Sequence, residues 1–527
     1  MEPQVLETLH YYNRPVRDTE PNRAVSQDYL KRRLKSRHMS MIALGGTIGN
    51  GLFIASGPSL AEAGPLGTLA AYTILSFIVY FLMTSLTEMA TYIPVAGSFN
   101  SFADRFVEPA FGFAMSYNYW YSWVVTAALN FVSCGLVVQY WLPHTNPIIW
   151  SFVSLIIIFT LNLFGPKVYG ESEFALTLIK IVAIMLFIII GFLVGFGAIG
   201  GNNYGFSKFL LKNNSFANGF SGTLNVFVTA AFSFQGVEIV GITSGESKNP
   251  SKDVPRAMHS VFFRIVTFYL LVILVIGMVV SYNDPSLIIG NSNNVSISPL
   301  VTVMEKGGIK YANHIINAVI LSSTISAGST CLYMTTRILF SLAVENKLFN
   351  KFKKVTSNGT PIYCLLFGSL VAIIIFSISL IDGNSVYDWL VAFNGVAGML
   401  AWMGILFTHY RFRKAYNYQG FYLDDLPYKA RLFPFGLFFS FFSILFITLA
   451  QGYKVFKSDF NFSEFFQAYG GIPIFLMIYL FYKLWKKSKV VGLSEMDLLT
   501  DSYNQLGFIS ERYEKKTMKD KVAYFFF

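Results

Sequence analysis

Twelve stretches of about 20 mostly apolar residues follow one another along the 527-residue chain. An α-helix of that length spans the hydrocarbon core of a bilayer, because each residue adds about 1.5 Å to the helix. The predicted fold class is therefore an all-α integral membrane protein with twelve transmembrane helices. These segments lie near residues 41–61, 68–92, 110–140, 147–165, 173–198, 219–243, 259–281, 310–341, 361–381, 386–409, 432–452 and 468–485.

The composition agrees with this class. Hydrophobic residues make up 54% of the chain and charged residues 13%, which is about half the charged share of an ordinary soluble domain. Cys134, Cys331 and Cys364 all lie within apolar segments, where neither a disulfide framework nor a zinc site is expected. The sequence has no phosphate loop, Gly-x-Ser-x-Gly elbow or His-x-x-x-His pair. We therefore predict no enzyme activity, no cofactor and no metal.

The net charge of the chain is +11, and its basic residues are distributed unequally between the two sides of the predicted membrane domain. Of the 40 Lys and Arg residues, 6 fall in or beside the predicted exterior loops, three lie inside helices, and the other 31 are cytosolic if both tails are. The positive-inside rule then predicts both termini in the cytosol and no nucleic-acid partner. The basic run at 31–37 serves as the orienting flank, with contact to anionic membrane lipid as the alternative.

The segments predict one membrane domain, residues 41–485, between cytosolic tails at 1–40 and 486–527. The N-terminal tail has no apolar core typical of a signal peptide, so the first segment is expected to direct membrane insertion. Asn-x-Ser sequons at Asn213, Asn294 and Asn461 fall in predicted exterior loops, which makes the protein a candidate glycoprotein.

The first apolar segment contains four glycines within residues 42–53, IALGGTIGNGLF. Glycine weakens a helix interior by about 1 kcal/mol relative to alanine, so a plain spanning helix would not concentrate this cost. We favour a helix that is broken midway and whose free N–H and C=O groups hold a ligand. The reason is that irregular backbone at membrane depth occurs only where it lines a cavity or is buried in protein. Close helix packing through small residues is the alternative.

The sixth segment contains a second interruption in residues 232–242, FSFQGVEIVGI. A carboxylate near the bilayer centre costs several kcal/mol unless it faces water or a partner. Glu238 is therefore either a functional group or a structural acceptor for the backbone of a broken helix. Each of the two glycine-interrupted helices is the first of a set of five predicted helices. This pattern predicts an inverted repeat whose halves are about 41–198 and 219–409. Two further helices follow at about 432–485.

The two interruptions together predict a ligand. The N-terminus of a half-helix carries a positive partial charge that suits a carboxylate, and freed carbonyl groups suit an ammonium. A pair of broken helices at the membrane midplane therefore suits a zwitterion such as an α-amino acid.

Several longer motifs resemble a known family. They include SRHMSMIALGGTIG at 36–49, EMATYIPV at 88–95 and a discontinuous set that begins GITSGE at 241–246. Together they resemble the fungal amino-acid permeases of the APC superfamily, and within it the basic amino-acid (arginine/lysine) branch. The resemblance covers about residues 35–455. It implies a LeuT-like 5+5 inverted repeat plus two helices, and a plasma-membrane symporter that imports amino acids with protons.

The resemblance also implies site residues. Backbone N–H groups would hold the substrate carboxylate, carbonyls would hold its ammonium, and Phe232 would form the aromatic gate. The implied residues are Thr47, Gly49, Asn50 and Gly51 for the carboxylate, with Ala43, Phe232, Ser233 and Phe234 for the ammonium. Glu238, singled out by its place in the sixth segment rather than by the resemblance, is a candidate for reading the substrate side chain.

Lys180 occupies the place in the fifth segment where related transporters use a lysine instead of a sodium ion. It is flanked by apolar residues, and a buried lysine can gain and lose a proton during a transport cycle. The alternative is a lysine that extends to the cytosolic interface, because Lys180 lies only two turns from Glu173.

Three positions depart from the basic branch. Asn50 stands where the branch usually has a threonine, and Asn130 stands where family members usually have a glutamate. The run from Ser326 to Cys331, which includes Ser329, differs from the branch's usual residues and is expected to face the pocket. The departures leave open a neutral or broad-range permease. A non-transporting sensor of the same fold is a further alternative, although such sensors typically carry a longer N-terminal extension than the 40 residues here.

Overall fold

The computed structural model describes residues 36–95, 97–210, 215–284, 287, 298–379, 383–457, 461–503 and 505. Apart from isolated bridge residues at Phe196, Asn203 and Ser247, regular structure in these ranges is helical. In chain order the α-helices are α1 (Ser36–Thr47), α2 (Asn50–Phe53), α3 (Ser56–Tyr92), α4 (Phe99–Phe106), α5 (Pro109–Val138), α6 (Pro147–Leu163), α7 (Pro166–Gly195), α8 (Ser207–Leu210), α9 (Gly219–Phe234), α10 (Ile239–Thr243), α11 (Pro250–Val279), α12 (Pro299–Lys306), α13 (Ala312–Val344), α14 (Ile362–Ser379), α15 (Gly383–Tyr418), α16 (Phe435–Ala450), α17 (Tyr453–Lys457), α18 (Phe462–Tyr469) and α19 (Gly471–Lys486).

The predicted all-α membrane class is confirmed. By length and apolar composition, six spans can cross a membrane within the described residues: α3, α5, α7, α11, α13 and the α9–α10 unit. The pair α18 and α19, bent by 57°, makes a seventh if it is one span, and α6, α14 and α16 are shorter apolar helices. Each of the twelve predicted segments overlaps one of these helices, α15, or the broken unit α1–α2.

Several helices begin earlier than the sequence predicts, α3, α7 and α11 most of all. The second segment was expected from residue 68, but α3 begins at Ser56 and continues through a kink at Gly64, where φ is +72°. Pro65 follows the kink, and proline tolerates the first turn of a helix because its missing N–H would be unpaired there. The fifth segment was expected from residue 173, whereas α7 begins at Pro166.

The centre of the bundle is formed by the two broken units. Helix α1 packs against α7, α11 and α13, while α9 packs against α3 and α2. Large apolar side chains such as Phe77, Ile156, Leu186 and Phe442 are exposed on the outer helices. An apolar exterior around a polar, glycine-rich centre is what a helix bundle in lipid requires.

The chain after α19 packs back onto the bundle. Met496, Leu498 and Tyr503 are buried against it, and the Tyr503 N–H donates to the carbonyl of Tyr92 at 2.8 Å. Part of the region predicted as a cytosolic tail therefore continues the packed body of the protein. Its sequence is polar, which is why the apolar windows ended the membrane domain at residue 485.

Arg105 on α4 is the main polar anchor of this segment. Its guanidinium donates to the carbonyls of Asp497 at 2.5 Å and Thr500 at 2.6 Å, and it forms an ion pair with the Asp497 carboxylate at 2.9 Å. Burial alone would raise the pKa of Asp497. The charge of Arg105 and hydrogen bonds from Thr500 outweigh it and hold that pKa below its usual range.

Replacing Arg105 should release the C-terminal segment. Arg105→Ala removes two hydrogen bonds from a charged donor, each worth about 1.5–3 kcal/mol, so local opening is expected to increase at least about tenfold. Limited proteolysis of membranes carrying a C-terminal tag measures the effect. Lys414→Ala, at an exposed position on α15, is the control. Cleavage of Arg105→Ala at the wild-type rate would contradict the anchoring role.

A candidate substrate site at two broken helices

The first break lies between α1 and α2. Helix α1 ends at Thr47, α2 begins at Asn50, and Ile48 and Gly49 between them are not helical. The Thr47 hydroxyl donates back to the carbonyl of Ala43 at 2.7 Å. Local glycines permit this interruption, as predicted from the sequence. The side chain of Asn50 lies outside the described part of the structure.

The second break separates α9 from α10. Helix α9 ends at Phe234 and α10 begins at Ile239. Between them Gly236 has φ +102°, a conformation that side chains other than glycine rarely adopt. A Cβ atom at Gly236 would also lie 3.1 Å from the Thr47 hydroxyl oxygen. This glycine therefore permits both the break and its close contact with the first one.

The two breaks touch through Gly51 and Tyr269. A Cβ atom at Gly51 would lie 2.7 Å from the Ser233 Cα, so only glycine permits this approach. The Tyr269 hydroxyl on α11 lies 3.0 Å from the Thr47 carbonyl oxygen and 2.8 Å from that of Ser233. One phenol thus bridges the C-terminal ends of α1 and α9. Nothing in the sequence singles out Tyr269, which looks like an ordinary aromatic residue in an apolar helix.

The predicted aromatic positions take different environments. Phe232 is partly exposed, as a gate residue would be. Phe234 is fully buried and stacks on Tyr269, with ring centroids 5.1 Å apart. The Ser233 hydroxyl donates to the Thr229 carbonyl at 2.8 Å. The side chains of Ser233 and Phe234 therefore belong to the packing behind the second break.

Glu238 is buried and fully engaged. Its carboxylate accepts from the Tyr119 hydroxyl at 2.8 Å, from Trp402 Nε1 at 3.3 Å and from the Gly236 N–H at 3.3 Å. Of the two interpretations left open by the sequence, this geometry favours the structural one. Glu238 satisfies a backbone N–H that the break leaves without a helical partner.

We expect Glu238→Gln to affect stability rather than substrate preference. The glutamine amide group has an NH₂ where the carboxylate has an accepting oxygen, and this NH₂ faces groups that are themselves donors. One buried N–H is then left unpaired, at a cost of about 1–3 kcal/mol. Thermal unfolding of the detergent-solubilised protein should shift downward, while competition uptake keeps the wild-type order of substrates. Glu305→Gln, at an exposed position, should change neither. A changed substrate order at unchanged stability would give Glu238 a role in side-chain recognition.

Lys180 is inside the bundle and binds the first break. Its side chain is fully buried, and Nζ donates to the carbonyls of Gly45 at 2.7 Å and Ile48 at 3.0 Å. The Ser323 hydroxyl on α13 lies 3.3 Å from the same Ile48 oxygen. This placement does not agree with a lysine that extends to the interface. Glu173, which the sequence analysis took as a marker of that interface, is itself fully buried.

Helix α13 brings the predicted run 326–331 to the first break through Ala327 and Thr330, while its two predicted serines turn toward other helices. Ser326 donates to the Glu173 carboxylate on α7, and Ser329 accepts from Asn162 Nδ2 on α6 at 3.2 Å. Neither serine is turned toward the breaks. Three other residues of α13 face the first broken unit. The Ser323 hydroxyl contacts the Ile48 carbonyl oxygen. Ala327 would lie 3.3 Å from a Cβ placed at Gly49, and Thr330 would lie 2.8 Å from a Cβ placed at Gly46. Their spacing of i, i+4 and i+7 marks a single helix face.

Asn130 lies on α5 in contact with α13. Its Nδ2 donates to the Thr126 carbonyl at 2.8 Å and contacts Cys331 Sγ at 3.8 Å. The amide therefore takes part in a helix–helix contact at the position expected to hold a glutamate. Of the predicted sequons, Asn213 and Asn294 lie outside the described residues, and Asn461 is exposed at the start of α18.

Comparison with known proteins agrees with this architecture. Residues 38–494 match the amino acid permease family. The lysine-specific permease LysP of Escherichia coli is 42% identical over 89% of this chain and 96% of its own length. The basic amino-acid permease of Saccharomyces cerevisiae is 40% identical over 90% of this chain and 84% of its own.

A solved structure is similar in fold. The crystal structure of the Eremococcus coleocola manganese transporter covers 85% of this chain and 94% of its own, with a TM-score of 0.56 and 11% identity. Likeness at this identity shows the fold alone. It confirms the predicted LeuT-like architecture.

Proposed function

Because the chain belongs to the amino acid permease family, we propose that it is a proton-coupled symporter importing basic amino acids across the plasma membrane. The observation that carries the coupling proposal is the buried Lys180 ammonium on the Gly45 and Ile48 carbonyls. The relatives named for lysine and basic amino acids support the substrate class.

In this proposal the substrate's zwitterionic end binds between the two breaks. The carboxylate meets backbone N–H groups at residues 49–51, where α2 begins. The α-ammonium meets carbonyls at the ends of α1 and α9. Since Tyr269 already bridges those two ends, a ligand bound there contacts both repeats at once, which is what alternating access requires.

The proton acts through the same break. A charged Lys180 forms charge-assisted hydrogen bonds, which are roughly twice as strong as neutral ones. It therefore holds the end of α1 and the turn at Ile48 against α7. When Lys180 loses its proton, these contacts weaken and α1 is released to move relative to α7. Protonation thereby biases the equilibrium between the conformations of the transporter.

A second candidate, a neutral amino-acid permease, is favoured by one observation. A cationic side chain needs an anionic or carbonyl-rich partner, yet Glu238 is occupied by three donors and Asn130 stands in place of a carboxylate. If no carboxylate meets the substrate side chain, the preference for lysine must come from carbonyl and hydroxyl oxygens.

Competition uptake separates these candidates. Permease-deficient cells expressing the chain take up radiolabelled lysine while each of the twenty amino acids competes in turn. The proposal expects lysine and arginine to compete best and a protonophore to abolish accumulation. Stronger competition by large neutral residues would favour the second candidate. Sodium-dependent, protonophore-resistant uptake would overturn proton coupling, and absence of any uptake would favour a sensor.

A further inference from the structure

A second buried ionisable side chain lies below Lys180 on the same helix. Glu173 precedes Lys180 by seven residues on α7, two turns or about 10 Å along the axis, on the same helix face. Both side chains are fully buried. In the predicted orientation the helix runs outward from its start at Pro166, so Glu173 lies on the cytosolic side of Lys180.

The two oxygens of the Glu173 carboxylate are bonded unequally, and the Thr330 hydroxyl is a third hydroxyl that interacts with this group. Oε1 accepts from the hydroxyl of Ser326 and from that of Thr177, the latter at 3.3 Å. Oε2 is buried and has no hydrogen-bond partner within the part of the chain that the structure describes. A buried charged oxygen without a partner is costly, whereas a carboxylic acid has one accepting oxygen and one that carries the proton. A proton on Oε2 would therefore remove the cost of a buried negative charge at this site.

Thr177 and Gly45 connect the two groups. The Thr177 hydroxyl, between Glu173 and Lys180 on α7, lies 3.2 Å from the Met41 carbonyl oxygen and 3.3 Å from Glu173 Oε1. The carbonyl of Gly45 holds Lys180, while a Cβ at this glycine would overlap the Glu173 carboxylate. Glu173, Thr177 and Lys180 share one face of α7 at i, i+4 and i+7. A hydroxyl can donate and accept at once, so a proton can pass through Thr177 if the Lys180 ammonium turns from the Gly45 and Ile48 carbonyls toward that hydroxyl.

Other ionisable groups near this cluster are occupied or unsuited to accept a proton. On α7 the Tyr169 hydroxyl donates to Thr330 at 3.0 Å, and on α13 Tyr333 donates to Glu246 at 2.8 Å. Cys331 contacts Asn130. Phenols and thiols ordinarily keep their protons at neutral pH, and the Glu246 carboxylate is paired with Arg337. Among the residues that the structure describes around this cluster, Glu173 is then the carboxylate that can take a proton from an ammonium.

We infer that Glu173 is a second proton-carrying residue, which receives the proton of Lys180 on its way to the cytosol. The Lys180 ammonium becomes a neutral amine and the Glu173 carboxylate becomes a neutral carboxylic acid. The acid then releases the proton to water on the cytosolic side when that face opens. The transfer replaces a pair of buried charges by a neutral pair, which the low-dielectric interior favours. The inference rests on the proposed proton coupling.

Purified protein in proteoliposomes tests it, with a pH-sensitive dye inside and lysine as substrate. Two activities are measured: lysine accumulation driven by an inward proton gradient, and lysine–lysine exchange without net proton movement. Glu173→Gln keeps the size and the acceptor for Ser326 but cannot carry a proton. We expect its ratio of accumulation to exchange to fall at least about tenfold, with loss of lysine-dependent acidification.

The control is Glu171→Gln, because Glu171 is a half-exposed carboxylate on the same helix; it should keep the wild-type ratio. A wild-type ratio in Glu173→Gln would overturn the inference and leave Glu173 a structural acceptor. Failure of the proposed function itself looks different, because the wild-type protein would then show no lysine-dependent proton movement.

If Glu173→Gln does not fold, a second pair of variants, both at Thr177, tests the same inference. Thr177→Val removes the hydroxyl between the two groups at nearly constant volume, and Thr177→Ser keeps it. The inference expects the ratio of accumulation to exchange to fall in Thr177→Val and to stay at the wild-type value in Thr177→Ser. Equal ratios in both variants would overturn the inference that the proton of Lys180 passes along this face of α7 to Glu173.

Discussion

Gly51→Ala is expected to reduce lysine uptake between about fivefold and 100-fold, since overpacking a tight contact costs about 1–3 kcal/mol and each 1.4 kcal/mol is a factor of ten. The added methyl group would lie 2.7 Å from the Cα and 2.7 Å from the hydroxyl oxygen of Ser233. The hydroxyl can rotate away, but the Cα belongs to the backbone of α9. Relief therefore requires α2 to move away from α9, which separates the two breaks.

Radiolabelled lysine uptake, normalised to the amount of protein at the membrane, measures this effect. Gly57→Ala is the matched control, because Gly57 is a buried helical glycine six residues later. A Cβ at Gly57 would lie an ordinary 3.4 Å from its nearest neighbour, Pro299. Uptake at the wild-type level in Gly51→Ala would contradict the direct contact between the breaks. Equal losses in both variants would point to a general intolerance of side chains in this span.

The sequence was sufficient to place the breaks because a break is a local property. Clustered glycine and polar residues weaken a helix wherever the rest of the chain lies, and the interruptions at 48–49 and 235–238 fall within the stretches predicted for them. Contacts made by a break are not local. Tyr269 bridges both half-helices, yet nothing in its own apolar segment distinguishes it from a tyrosine in a packed core.

The rotation of α13 could not be predicted for a related reason. A helix whose polar and apolar residues are mixed around its whole circumference, as the serines and threonines of α13 are, carries no stripe that marks its inward face. Helix α13 is buried over most of its length, with contacts to α1, α5, α6, α7 and α14. Packing among these neighbours, rather than its own pattern, turns Ser323 toward the first break and Ser326 and Ser329 away from it.

Glu173 was passed over because one helix boundary was placed too late. With the fifth span starting at residue 173, its carboxylate would lie at the membrane surface. The observed start at Pro166 moves it two turns inward. Glu238, which the sequence singled out, has three donors, whereas Glu173 has an oxygen with no hydrogen-bond partner among the described residues. Depth and bonding, not charge alone, distinguish a structural carboxylate from one that can carry a proton.

Lys180→Met should abolish accumulation while leaving lysine–lysine exchange measurable. Methionine is unbranched and of similar length, so it can fill the space without a charge. The carbonyls of Gly45 and Ile48 lose their ammonium donor, although Ser323 still reaches the Ile48 oxygen. Without a proton to gain or lose at this position, internal lysine should rise only to the level set by passive equilibration. Uptake in proteoliposomes with and without a proton gradient measures both activities.

Lys180→Arg separates two effects of removing the lysine: the loss of its positive charge, and the loss of its ability to release a proton. A guanidinium keeps its proton under all physiological conditions, so this variant can still bind the two carbonyls but cannot release a proton. We expect it to lose accumulation as Lys180→Met does. Lys167→Met, at an exposed position on the same helix, should behave as wild type. Full accumulation in Lys180→Arg would mean that the positive charge alone is required, and that the proton enters the cycle through another group.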